Sequence, residues 1–139
     1  NYRALVLSDY ARRIVYELAP DGAEAADWFA LLDATLARLG SAEGVRTRSA
    51  ALSELLAFEL AALDLAGLSP DISEENGDFR LRGERSMPLS PEVRACLAAP
   101  RAEKNSKILV DALRVIGVFY TLHLDCAPDV RRAVLKVIS

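Results

Sequence analysis

Apolar residues recur along this chain at three- and four-residue intervals, interrupted by one stretch that obeys a different rule. The first segment sets Leu5, Leu7, Tyr10, Ala11, Ile14, Val15 and Leu18 largely on one stripe, which predicts an amphipathic helix ended by Pro20-Asp21-Gly22. A second helix, from about Glu24 to Leu39, carries Trp28, Leu31, Leu32, Thr35, Leu36 and Leu39 on one face and stops at Gly40-Ser41. From about Val45 to Ala66 a third helix presents Leu52, Leu55, Leu56, Phe58, Leu60, Leu63 and Leu65. It is apolar around more of its circumference than the first two, and is therefore expected to be the central, most buried element.

Residues 69–89 break this periodicity. Pro70, Asn76-Gly77, Gly83 and Pro88 are turn signals, and the alternation Phe79-Arg80-Leu81-Arg82 suits a short strand better than a helix. The expectation is a loop with room for a small hairpin. Ser90-Pro91-Glu92 then joins an N-cap residue, a proline at the first helical position and an acid in the first turn, so a short helix should run to about Ala99 and end at Pro100. Asn105 or Ser106 caps a fifth helix through Ile108, Leu109, Ala112, Leu113, Ile116, Phe119, Tyr120 and Leu122. Ala127-Pro128 opens a sixth with Val130, Val134, Leu135 and Ile138. The predicted fold is all-α: one domain over residues 1–139, about six helices with one irregular loop insertion at about 69–89.

Composition supports one core. With 139 residues, 52% of them hydrophobic, the chain can bury most of the surface its unfolded form exposes. It lacks an uninterrupted apolar run of about 18 residues, and its start, Asn1-Tyr2-Arg3, is not a signal peptide, so a soluble, cytoplasmic protein with no membrane partner is expected. The helical pattern begins without an initiator Met, from which the C-terminal part of a longer protein is expected. Cys96 and Cys126 lie 30 positions apart beside a single histidine, which suggests buried thiols rather than a disulfide framework or a zinc site.

Charge is unevenly spread. Residues 1–78 carry six basic and 14 acidic side chains, a net −8, whereas residues 79–139 carry 11 and six, a net +5. The basic part is compatible with phosphate or an acidic peptide as partner, although it is modest beside a dedicated nucleic-acid-binding domain. Common enzymatic signatures are missing: no Gly-rich phosphate loop, no Gly-x-Ser-x-Gly, no His-Glu-x-x-His. The lone His123, near a helix end among Tyr120, Leu122 and Leu124, reads as structural, and Glu74-Glu75 as a solvated loop pair. No catalytic residue, cofactor or metal is therefore expected, and the chain reads as a non-enzyme. Three basic groups are the candidates for binding. Arg101, Lys104 and Lys107 straddle the start of the fifth helix, and Arg131, Arg132 and Lys136 lie on the last, where Arg132 and Lys136 are four residues apart on one face. Arg80, Arg82 and Arg85 form the third group, read as keeping a strand's outer face wet.

The order of residues adds a family. Leu7-Ser8-Asp9-Tyr10, Trp28-Phe29-Ala30-Leu31-Leu32, and the run from Phe58-Glu59-Leu60 through Ala66-Gly67-Leu68-Ser69-Pro70-Asp71-Ile72 together resemble the C-terminal helical part of the bacterial recombination mediator RecO. Leu124-Asp125-Cys126-Ala127-Pro128-Asp129-Val130-Arg131-Arg132 is similar to that family's tail motif, with Leu124, Pro128 and Arg132 in register. Many members carry a four-cysteine zinc module after the Pro-x-Leu turn; residues 73–88 here hold no cysteine, so no zinc is implied. The family's basic residues before Phe-Glu-Leu are replaced by Leu56-Ala57, and its N-terminal oligonucleotide-binding barrel is not in this sequence.

The resemblance implies a DNA repair and recombination mediator that engages the acidic C-terminal tail of single-stranded-DNA-binding protein, single-stranded DNA and a RecR-like partner to load recombinase at gaps. In that role Arg131, Arg132 and Lys136 are the first binding candidates for nucleic acid or acidic peptide, with Lys104 and Lys107 behind them. An apolar groove between helices would take the tail's terminal aromatic residue. The alternative is a ligand-sensing or dimerisation domain of a helical transcription regulator, which requires a closed apolar pocket and a helix-pair dimer interface.

Overall fold

The first stripe folds as α1, Tyr2–Leu18, burying Leu7, Tyr10, Ala11, Ile14 and Val15. Leu5, two residues before Leu7, falls on the opposite side of the helix and is 58% exposed. The computed structural model describes residues 1–41, 45–82, 87–123 and 128–139. Readings attached to Arg85, Leu124, Asp125, Cys126, Ala127 and the His123 side chain lie outside the described residues.

α2, Ala25–Gly40, buries Trp28, Leu32, Thr35 and Leu39 and packs against α1. α3, Arg48–Leu65, is the central helix that its all-round apolarity predicts: Ala51 through Glu59 are buried without a break. Thr47 caps its start by accepting from the Ala50 N–H at 3.1 Å. At the far end Gly67 takes φ +74°, and the Leu68 N–H reaches back to the Leu63 carbonyl at 2.8 Å. That backbone conformation is strained for a residue with a Cβ, so glycine stops the helix here.

The insertion is more ordered than a loop. β1, Ile72–Glu75, β2, Asp78–Leu81, and β3, Met87–Leu89, form an antiparallel sheet in the order β1-β2-β3, so the fold is mostly helical with a small sheet rather than all-α. Asn76 at φ 53° and Gly77 at φ 82° make a two-residue turn between the first two strands, the geometry favoured by right-twisted hairpins. Register pairs Phe79 with Leu89 and Leu81 with Met87; Leu81 and Leu89 enter the core.

α4, Pro91–Ala98, is capped by Ser90, whose Oγ accepts from the Val93 N–H at 3.1 Å, and is followed by a single 3-10 turn, Pro100–Ala102. Cys96 is buried in α4, and burial, with Glu103 adding to it, pushes its thiol pKa up to about 11, so it stays protonated at neutral pH. α5, Ser106–His123, buries Leu109, Ala112, Leu113, Ile116 and Tyr120 against α3 and α4, and α6, Pro128–Ile138, closes the bundle against α1, α3 and α5. No helix among the described residues is long and apolar enough to cross a membrane.

Candidate functional site

The structure separates the three candidate cations of α6. Arg132 and Lys136 lie on its exposed face, where Arg132 pairs with Asp129 one turn earlier. Arg131 points the other way. It continues the buried stripe of Val134 and Ile138, three and seven residues on, and is 8% exposed. Its Nε donates to Glu59 Oε2 at 2.8 Å and its Nη2 to Glu59 Oε1 and to the Leu113 carbonyl, each at 2.7 Å. Glu59, fully buried in the middle of α3, also accepts from the Tyr10 hydroxyl at 2.8 Å, while the Tyr120 hydroxyl donates to the Glu59 carbonyl at 2.9 Å. Desolvation and the adjoining carboxylate drive the Tyr10 phenol far above its usual range. Burial is the largest single influence on Arg131 and works against its charge, but the bidentate hydrogen bonds it donates to Glu59, together with the charge of that carboxylate, outweigh burial and raise its pKa.

Arg131 is thus committed to a four-helix lock joining α1, α3, α5 and α6, and its charge is matched inside the protein. The sequence carries the signal: an arginine at three- and seven-residue spacing from apolar α6 residues, and an acid within an otherwise apolar α3. Gly117 makes room for it. A Cβ there would lie 2.5 Å from Arg131 Nη1.

A second acid, Glu54, is also nearly buried in α3, and gathers two arginines. Arg38 from α2 donates through Nε and Nη2 at 2.9–3.1 Å, and Arg101 from the 3-10 turn through Nε and Nη2 at 3.3 Å. They line a cleft of about 580 Å³ that also holds Lys104, Thr47 and Ser49. Lys107, exposed in the first turn of α5, is not among the residues around it. Burial alone would raise the Glu54 pKa; hydrogen bonds and charge from Arg38 and Arg101 prevail and hold it below the ordinary carboxylate value. A depressed folded-state pKa means stability that is present above the unfolded-state value, about 4.3 for Glu, and is lost as pH falls through the lower folded value. Urea midpoints of the parent and Glu54→Gln should therefore differ most at neutral pH and converge below about pH 4.

The best apolar recess lies elsewhere, between α3, the sheet and α4. It is a groove of about 320 Å³ walled by Leu60, Pro70, Ile72, Phe79 and Leu97, with Arg94 at its edge. The Arg94 guanidinium sits 4.9 Å from the centre of the Phe79 ring, a cation–π contact that fixes it there. Ser73 contributes a buried Oγ without a hydrogen-bond partner among the described residues. An orphan hydroxyl of this kind is costly unless something else supplies the bond. Neither Ser73 nor Arg94 stood out in the sequence, because the groove brings them to Leu60 from 13 and 34 residues away.

Enclosed apolar space is scarce by comparison. The cavity among Leu7, Tyr10, Leu39 and Phe58 holds about 10 Å³, roughly the room of one water molecule, and cannot seat a small-molecule effector. Among the described residues no cluster of His, Cys, Asp and Glu is arranged to hold a metal ion.

Comparison with known proteins gives one positive finding. A family model described as "Recombination protein O C terminal" matches residues 1–137. No curated protein and no solved structure matches the chain.

Proposed function

Since this chain belongs to the recombination protein O C-terminal family, and so to recombination and repair mediation, we propose that it acts by docking the acidic C-terminal tail of single-stranded-DNA-binding protein in the groove beside Arg94. The observation that carries this reading is the pairing of apolar walls, which suit an aromatic side chain, with one fixed cation, Arg94, for a carboxylate; Glu74 also lines the groove and would steer the acidic part of the peptide to the Arg94 side. A peptide ending in an aromatic residue supplies both complements at once: its ring fills the apolar recess and its terminal carboxylate meets Arg94.

The other cations serve the polyanions that accompany the tail. Arg132 and Lys136 on α6, with Lys104 and Lys107 at the start of α5, face outward and meet DNA phosphates, giving an affinity that falls steeply with salt. Arg131 acts one step back: through Glu59 it holds α6 so that Arg132 and Lys136 stay on the outer face. Docking is non-enzymatic, and with a RecR-like partner it brings recombinase to DNA coated by the tail's owner. A regulator's sensing domain is less favoured, because the apolar cavity among Leu7, Tyr10, Leu39 and Phe58 has no room for an effector.

The test is fluorescence anisotropy of a labelled tail peptide titrated with the chain. Saturable binding should be lost when the terminal aromatic residue is removed. Arg94→Ala should weaken it at least about ten-fold, in line with a charge-assisted hydrogen bond worth about 1.5–3 kcal/mol. Binding that is indifferent to both changes would remove the groove from the account.

A further inference from the structure

We infer that the cleft around Arg38, Arg101 and Lys104 is a second, separate site, built to take a terminal phosphate monoester such as the 5′ end of a nucleic acid strand. It shares no lining residue with the groove beside Arg94, so either can fail without the other.

The inference starts from what Glu54 does to its two arginines. A guanidinium has five N–H donors in a rigid fork. Both Arg38 and Arg101 spend Nε and Nη2 on Glu54, leaving Nη1 of each without a partner among the described residues, and both arginines line a cleft of about 580 Å³. Glu54 therefore fixes two half-exposed side chains in place while cancelling only one of their two charges. Ligand binding need not order them, which removes a large part of the usual entropic cost. Lys104 adds a third cation with no ion pair among the described residues. Glu103 also lines the cleft, but its Oε1 is taken by the backbone N–H groups of Lys104 and Asn105, at 3.0 and 2.9 Å.

The remaining lining is small and polar. Ala37 and Ala50 leave space, Thr47 and Ser49 bring hydroxyls, and the cleft opens beside the positive end of the 18-residue helix α3. Three cationic groups converging on one recess differ from a stripe that follows a phosphodiester backbone, where each phosphate carries a single charge and the chain must leave at both sides. A phosphate monoester carries about −1.5 to −2 at neutral pH and three acceptor oxygens on one atom, which suits three convergent donors. The same chemistry is offered by a free nucleoside 5′-monophosphate.

The experiment compares 3′-labelled oligonucleotides of one sequence, 5′-phosphorylated and 5′-hydroxyl, in anisotropy titrations with the full chain. The phosphorylated strand should bind at least about ten-fold more tightly, an increment of one charge-assisted contact. That preference should vanish in Arg101→Gln and in Lys104→Gln, the second of which breaks no ion pair among the described residues, while tail-peptide affinity stays at the parent value. Displacement of the phosphorylated strand by nucleoside 5′-monophosphate would assign the site to any phosphate monoester, and failure to displace it would assign the site to strand ends; both support the cleft. Equal affinity for the two strands, or a preference that survives both substitutions, would overturn it.

Discussion

Arg131→Ala is expected to be the most damaging single substitution in this chain, lowering stability by about 3–5 kcal/mol. Among the described residues, the substitution leaves Glu59 fully buried with only the Tyr10 hydroxyl as side-chain partner, and frees the Leu113 carbonyl as well. That loss is comparable with the whole stability of a marginal domain, about 5–15 kcal/mol. Urea unfolding checks it: the midpoint should fall sharply while the slope stays constant. Replacing both partners, Glu59→Leu with Arg131→Met, should recover most of the loss, because the cost comes from an unmatched buried charge rather than from a missing attraction. A mild effect of Arg131→Ala alone would mean that the pair is solvated.

Gly117→Ala provides the second large effect, and with a sign opposite to helix propensity. In an exposed helix the change gains about 0.5–1 kcal/mol. Here the new Cβ would fall 2.5 Å from Arg131 Nη1, and that nitrogen's guanidinium is held by Glu59 and Leu113, so the side chain has no cheap route out of the way. A net loss of about 1–3 kcal/mol is expected, as for an overpacked core. In an Arg131→Ala background the clash is gone and the same substitution should become stabilising. The double-mutant cycle reads this as a strong coupling between two neighbours. Additive effects would place the guanidinium elsewhere.

The helices were legible because their burial follows one period. α1 and α2 bury most of the residues their stripes predict, with Leu18, Leu31 and Leu36 only partly buried at the stripe edges and Leu5 exposed, and α3 is central because apolar residues surround it. The sheet was legible only in part. The Asn76-Gly77 turn and the Phe79-Arg80-Leu81-Arg82 alternation marked a hairpin around β2, but β1, Ile-Ser-Glu-Glu, has little strand character of its own and β3 is only three residues long, too short for alternation to register. Arg131 stood next to Arg132 in sequence and was grouped with it, although residues 131 and 132 face different sides of a helix and only one continues the Val134 and Ile138 stripe. The groove was invisible for another reason. Ser73, Phe79 and Arg94 come from three elements, and nothing in their local pattern records that the fold closes them around one recess.

The family assignment says which process the chain serves, and the groove says where its partner would be held. An NMR titration of the isotope-labelled chain with the tail peptide tests that location most directly. The account predicts saturable shifts in the amides of Ser73, Phe79, Arg94 and Leu97, and little change along α6. Shifts centred on Arg132 and Lys136, with the groove unmoved, would contradict it.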